Sequence, residues 1–249
     1  MNKKKQVAII TGGAKRIGAA ICRRLHKANI DIIIHYKSSD KEASSLKDEL
    51  NGIRKDSASM IQADLLDSNN YPLIINEAIN TFGQLNFLIN NASSYYRTSI
   101  NEIDESNWDD LIGSNLKAAL FLSKEAAPFL ELTTGSIINI TDAHITNPKE
   151  KYIIYSIAKS GLSTLTKSLA KELGPKVRVN AIAPGPILWP DNSNEFDEDY
   201  RNKVISQTML KKVGEADDIA KAIEFLLLNS PFITGQILNV DGGRSFSSD

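Results

Sequence analysis

The sequence predicts one α/β domain with a doubly wound, mostly parallel sheet of about seven strands and helices on both faces. Three observations predict it. Short apolar runs alternate with stretches whose apolar residues recur at helical spacing, from Val7 to Val240. A glycine-rich turn joins the first apolar run to the first helical stripe. No repeat, low-complexity tract or linker divides the 249 residues, so residues 1–249 are taken as a single domain.

Val7 to Thr11 is the first strand and runs into Thr11-Gly12-Gly13-Ala14-Lys15-Arg16-Ile17-Gly18. Ile17, Ala20, Ile21, Leu25 and Ala28 then trace a helix, and Ile30 to Tyr36 is a second strand rich in β-branched residues. Asp40 to Leu50 is a polar helix, and Met60 to Ala63 a third strand followed by Asp64-Leu65. Tyr71, Ile75, Ala78, Ile79 and Phe82 form the next stripe. Phe87 to Ile89 is a fourth strand, ending in Asn90-Asn91-Ala92-Ser93-Ser94-Tyr95-Tyr96. Trp108, Leu111, Ile112 and Leu116 open a long helix towards Glu131, with Asn115 on its buried stripe. Ser136 to Ile140 is a fifth strand, and Tyr152 to Leu173 a helix that Gly174-Pro175 ends. Val177 to Ile182 is a sixth strand, closed by Ala183-Pro184-Gly185-Pro186. Residues 187–203 lack a clear period and carry five acids, which reads as a functional lid or a disordered stretch, with the acids as its solvated face. Ile219, Ala220, Ile223, Leu226 and Leu227 give a last helix, and Ile237 to Val240 a last strand.

The bulk numbers exclude several partners. A net charge of -1, from 29 basic and 30 acidic residues, gives no global field for nucleic acid or a membrane surface. No apolar run approaches the roughly 20 residues that span a bilayer. The basic start Met1-Asn2-Lys3-Lys4-Lys5 precedes an apolar run, Val7 to Ile10, too short for a signal-peptide core. The one cysteine, Cys22, cannot form an internal disulfide and reads as a buried filler. A reducing cytoplasm fits all of this.

Strand, glycine turn, helix and strand over about 30 residues are the βαβ signature of a dinucleotide site. Glycines bring the backbone close to a pyrophosphate, and the helix N-terminus offers free N–H groups. The second strand ends His35-Tyr36-Lys37-Ser38-Ser39, with no acidic residue until Asp40 to bind a ribose 2′-hydroxyl. Lys37, Ser38, Ser39 and the Lys15-Arg16 pair suit a 2′-phosphate instead, so NADPH is the expected cofactor and no metal is implied. Asp64 either accepts from an adenine amino group or caps a turn. Tyr155 and Lys159 lie four apart on one helix face, where an ammonium lowers a phenol's pKa and makes it a proton donor near neutral pH.

In order and spacing these residues resemble the short-chain dehydrogenase/reductase family over essentially the whole chain. The carrying motifs are Thr11-Gly12 to Gly18, Asn90-Asn91-Ala92, Asn115, Tyr155 to Lys159, and Asn180 with Pro184-Gly185. The resemblance implies a single Rossmann-type domain, a homotetramer, and hydride transfer between nicotinamide and a small substrate. It implies that Tyr155 is the acid/base, that Lys159 holds the nicotinamide ribose, and that Asn115 holds a water in the proton relay. The implied cofactor set is Gly12, Lys15, Arg16, Ile17, Gly18, His35, Tyr36, Lys37, Ser38, Asp64, Leu65, Asn91, Ala92, Ser93, Tyr155, Lys159, Pro184 and Gly185.

Two departures stand out. The family usually has glycine at Arg16, and a serine where this chain has Asp142. Both, with His35-Tyr36 and Ser93-Ser94-Tyr95, resemble the pteridine reductase branch. That branch implies a pterin or folate substrate held by Arg16, Ser93, Tyr95, Asp142, Tyr155 and Pro186. There Tyr155 and Asp142 relay a proton to a ring nitrogen. A carboxylate repels the oxyanion of a ketone reduction but stabilises a protonated ring nitrogen. Thr141 can supply the hydroxyl instead if the strand end shifts by one. A carbonyl reductase of the 3-oxoacyl-thioester type is the alternative, and an NADPH-binding sensor without turnover a third reading.

Overall fold

In the computed structural model of the chain, residues 5–145, 147–187 and 198–246 are described. Seven parallel strands form one sheet in the order β3-β2-β1-β4-β5-β6-β7. They are β1 (Val7–Ile10), β2 (Asp31–Tyr36), β3 (Ala58–Gln62), β4 (Phe87–Asn90), β5 (Ser136–Ile140), β6 (Arg178–Pro184) and β7 (Ile237–Val240). The helices are α1 (Arg16–Lys27), α2 (Asp40–Ile53), α3 (Asn70–Phe82), α4 (Glu105–Ile112), α5 (Ala118–Thr133), α6 (Ile153–Leu173), α7 (Glu198–Ser206) and α8 (Ala216–Leu228).

β1, β2, β4 and β5 are buried at every position, which is why Val7–Ile10 and Ile32–Ile34 read as unbroken apolar runs, while the edge strands β3 and β7 are partly exposed. Successive side chains point to opposite faces, so each strand divides between two cores. Ala8, Ile10, Ile32 and Ile34 pack with α1, α2 and α8; Val7, Ile9, Ile33 and Leu88 pack with α3, α5 and α6. Each fully buried Ile or Leu contributes about 1.5–3 kcal/mol through burial. Cys22 belongs to the first core, where burial raises its thiol pKa far above the ordinary value.

Strand order reverses between β1 and β4, and ligands of open α/β sheets bind at such a switch point, beyond the carboxyl ends of the strands. Here the ends of β1, β4, β5 and β6 meet. The turn after β1 is cut to fit: Gly12 has φ 60°, and a Cβ on Gly18 would lie 2.1 Å from the Gly12 carbonyl oxygen. Arg16 has φ 51°, a left-handed backbone that glycine adopts without strain and that suits the glycine the family resemblance leads one to expect there.

Three expectations about elements need correction. β3 begins two residues earlier than the apolar pattern suggests, because Asn51 bonds the backbone N–H groups of Ser57 and Ala58 and aligns them beside β2. The helix through Asn115 is not continuous: a π-turn, Gly113–Lys117, separates α4 from α5. The Asn115 amide donates to the Leu111 carbonyl (3.0 Å) and to the Ser94 carbonyl (2.9 Å), tying that turn to the loop after β4. Finally, Glu198–Ser206 is a helix rather than part of an aperiodic lid. The remainder of that segment, residues 188–197, lies outside the described residues.

Candidate active site

A cleft of about 570 Å³ opens over the carboxyl ends of the central strands. It runs from the Gly12–Gly18 turn, past Lys37, Asp64 and Asn91–Tyr95, to Asp142, Tyr155, Lys159 and Pro184–Ile187. Every residue of the expected site lines it except Tyr36, Ser38 and Asn115.

These three have other duties. Tyr36 is buried in the core and its hydroxyl donates to Asp40 at 2.7 Å. Ser38 is exposed beside the cleft. Asn115 is buried, and besides its two carbonyl partners it accepts from Ser93 Oγ at 2.6 Å. Its amide braces the floor of the cleft. His35 also works from behind. Its Nδ1 accepts from the Gly12 N–H (3.1 Å) and its Nε2 faces the Ala63 carbonyl (3.1 Å). Burial lowers its pKa to about 4, so the ring is neutral, donates through Nε2, and supports the glycine turn.

The turn fits a pyrophosphate. No side chain caps α1, whose first turn contains no acidic residue. Its unpaired N–H groups and positive dipole end therefore suit an anion. Asn91 holds the turn by donating to the carbonyls of Thr11 (2.8 Å) and Gly12 (3.1 Å). Lys15 pairs with Glu42 at 2.7 Å and Lys37 with Asp64 at 2.8 Å, so both expected phosphate ligands are at the cleft with acidic partners.

At the other end, Thr141 extends the β5–β6 pairing. Its N–H and hydroxyl both donate to the Ile182 carbonyl, at 2.8 and 3.0 Å. The hydroxyl is thereby turned away, and Asp142 enters the cleft instead. Tyr155 donates to Asp142 Oδ2 at 2.8 Å. Asp142 Oδ1 accepts from the backbone N–H of His144 (2.7 Å) and meets its Nδ1 (3.0 Å). Lys159 is 3% exposed and donates to the Ile140 carbonyl at 2.9 Å, with its ammonium 5.6 Å from the Tyr155 ring centre. Tyr95 stacks on Tyr152 and meets Tyr155 edge-on, both at 4.8 Å, so one face of Tyr95 is already covered.

The expected lowering of the Tyr155 pKa is reversed. Burial, then the Asp142 charge and the hydrogen bond to it, raise the phenol well above its ordinary value. The Lys159 cation is too weakly coupled to offset them, and burial depresses its own pKa to about 8. Burial pushes the Asp142 carboxyl up, but the His144 side chain, backbone N–H and charge, with the Tyr155 hydroxyl, outweigh it and hold the carboxyl below the usual range. Phenol and carboxylate thus share one proton, resting on the phenol.

His144, Lys149, Tyr200 and Arg244 also line the cleft and were not foreseen. His144 alone had a local signal: an Asp-x-His triplet lets the carboxylate accept from the backbone two residues on. The others come from distant loops and from α7. Among the described residues no group of three or more His, Cys, Asp or Glu is placed to hold a metal ion, and no helix is long and apolar enough to cross a membrane.

Comparison with known proteins agrees with this arrangement. The family model described as enoyl-(acyl carrier protein) reductase matches residues 12–245. The 3-oxoacyl-acyl-carrier-protein reductase FabG of Staphylococcus aureus strain N315 is 31% identical, over 97% of this chain and 98% of its own length. The FabG of Staphylococcus epidermidis strain ATCC 12228 is 32% identical, over 98% of this chain and 99% of its own. These matches overturn the expectation of a pterin or folate reductase, which rested on Arg16, Asp142 and Ser93–Tyr95. Those residues report how the cleft is built, whereas likeness over the full length runs to proteins named for 3-oxoacyl reduction. The chain belongs to the short-chain dehydrogenase/reductase family.

Proposed function

We propose that the protein reduces the 3-keto group of a 3-oxoacyl thioester, with NADPH as the hydride donor. The observation that carries this reading is full-length similarity to 3-oxoacyl-acyl-carrier-protein reductases, at 31–32% identity. The family's tyrosine and lysine stand together in the cleft, which supports it.

A bound nicotinamide dinucleotide supplies the hydride. The chain supplies everything else. Gly12–Gly18 and the open end of α1 hold the pyrophosphate. Lys37, with Lys15, Arg16 and Ser38 nearby, takes the 2′-phosphate that separates NADPH from NADH, at the cost of its pairing with Asp64. Asp64 and Leu65 border the adenine, Ala92 and Ser93 the middle of the cofactor, and Pro184 and Gly185 the nicotinamide end. Lys159 holds the ribose beside the ring. Tyr155 orients the keto oxygen and protonates it as hydride arrives at carbon. Arg16, Ser93, Tyr95 and Pro186 border the acyl chain. The His144 contacts hold the Asp142 pKa below the ordinary carboxylate range, and a carboxylate repels a developing oxyanion, so in this reading Asp142 meets Tyr155 and not the keto oxygen.

The reading includes a homotetramer. Leu120 (40%) and Phe121 (36%) on α5 and Ile157 (46%) on α6 leave apolar surface exposed on a single chain, and sedimentation velocity tests it. The activity test is NADPH oxidation by purified protein with acetoacetyl-CoA. Turnover that is much slower with NADH supports the reading. No oxidation with any 3-oxoacyl thioester overturns it.

A further inference from the structure

We propose that His144 is a proton-supplying positioning residue, forming with Asp142 a relay that returns a proton to Tyr155 each time the tyrosine protonates substrate. The proposal rests on reading the cleft as one that reduces by hydride plus a proton from Tyr155.

The geometry is a line. Tyr155 Oη lies 2.8 Å from Asp142 Oδ2, and His144 Nδ1 lies 3.0 Å from Oδ1 of the same carboxylate. The backbone N–H of His144 at 2.7 Å fixes that carboxylate in place. Nδ1 faces an acceptor and therefore carries the proton, leaving Nε2 to accept one. Nε2 is buried with no hydrogen-bond partner among the described residues. A buried polar atom left open in this way calls for an explanation, and a proton entry point gives one. His144 also borders a second cavity of about 590 Å³, walled further by Asn147, Glu150, Lys203 and Gln207, which meets the main cleft at His144, Lys149 and Arg244.

The need for it is electrostatic. When Tyr155 gives up its proton, a phenolate would face the Asp142 carboxylate at 2.8 Å. Two buried anions at that separation do not coexist. Besides His144, Lys159 and Lys149 are coupled to the Asp142 charge, and burial depresses both. Tyr95 and Tyr152 face Tyr155 edge-on and bring no cation to it. Arg244 acts on Lys149 rather than on the phenol. The Asn115 side chain is committed to Ser93, Ser94 and Leu111. His144 is the remaining donor on the carboxylate.

The protons balance. Hydride from the reduced nicotinamide bonds to the keto carbon. The Tyr155 O–H bond breaks as the O–H bond of the alcohol forms. Nε2 takes a proton from solvent as the His144 Nδ1–H bond breaks and Asp142 gains that proton, Asp142 passes one to the phenolate, and the ring regains its Nδ1–H tautomer by proton exchange with water before the next turnover. One proton enters per hydride transferred.

The test uses two variants and two readouts. His144→Asn keeps an N–H for Asp142 but cannot relay a proton; His144→Ala leaves room for added imidazole. Both are expected to lower kcat on the order of a hundredfold with KM nearly unchanged, and imidazole is expected to restore the alanine variant in proportion to its concentration. In the cofactor-free protein, a carboxyl carbon NMR titration of Asp142 is expected to move to higher pH in His144→Ala. Wild-type kcat in His144→Asn overturns the relay, as does an alanine variant that imidazole leaves slow. An unmoved Asp142 titration overturns the contact itself. The titration needs no substrate, so failure of the 3-oxoacyl reading leaves it standing.

Discussion

Tyr155 donates its only proton to Asp142, 2.8 Å away, instead of presenting it to the open cleft. A ketone reductase must turn that proton outward, against a carboxylate that holds it. Asp142→Ser removes the buried anion and substitutes a neutral donor suited to an oxyanion. Turnover of a 3-oxoacyl thioester is expected to stay within about tenfold of wild type or to rise. The phenol pKa is expected to fall, because the Asp142 charge and bond that raise it are gone. In this background His144→Asn should have no further effect. Steady-state rates across pH check all three; a loss of more than a hundredfold contradicts the role given to the carboxyl.

Lys159 trades stability for function. A depression from the ordinary 10.5 to about 8 costs its charged form about 3 kcal/mol. Its hydrogen bond to the Ile140 carbonyl returns about 1 kcal/mol or more. Lys159→Met is therefore expected to stabilise the cofactor-free fold at pH 7 by about 1–2 kcal/mol while losing most turnover. The unfolded chain binds this proton more tightly than the folded one. The penalty is thus full below pH 8 and relieved as pH rises towards 10.5, so the gap in Tm between variant and wild type should close over that window. Thermal melts from pH 7 to 10.5 check it.

His35 ties the glycine turn to the second strand through Gly12 and Ala63. Its folded pKa, about 4, lies below the ordinary 6.5. Stability from this neutral ring is complete above pH 6.5 and is lost as pH falls through 4. His35→Leu is expected to cost about 1–3 kcal/mol at pH 7, because the Gly12 N–H loses its acceptor, and to flatten the acid slope between those two values. Urea unfolding at a series of pH values measures both; an unchanged slope contradicts the assignment.

Lys37 is placed to choose between cofactors. Lys37→Ala is expected to weaken NADPH binding roughly tenfold to hundredfold, the usual worth of a charge-assisted contact, and to leave NADH binding nearly unchanged. Isothermal titration with both dinucleotides decides the point. Equal weakening of both would place the lysine outside the phosphate contact.

Much of the fold was legible because both strand and helix periods are clean where burial is complete. Val7–Ile10 and Ile32–Ile34 have no exposed face, and the turn at Gly12–Gly18 admits no larger residue at Gly18. Legibility fails where a side chain overrides the local pattern. Asn115 opens a π-turn by bonding back to Leu111, and no periodicity announces that. The helix Glu198–Ser206 has a weak apolar stripe with only Val204 buried, so its pattern reads as loop. Lys37 and Asp64 were each read alone, although the structure pairs them. The substrate was misread because Asp142, Arg16 and Tyr95 are visible departures, yet each has a local structural consequence. Arg16 occupies a left-handed position, Tyr95 covers Tyr152, and Asp142 closes a turn on His144.

The most direct measurement follows the hydride. Acetoacetyl-CoA is incubated with the protein and NADPH deuterated at nicotinamide C4, and the thioester is analysed by mass spectrometry. The expected product is 3-hydroxybutyryl-CoA with one deuterium at C3, absent when Tyr155→Phe replaces wild type. Unreacted acetoacetyl-CoA, in a preparation that oxidises the same NADPH with a dihydropterin, would contradict the assignment.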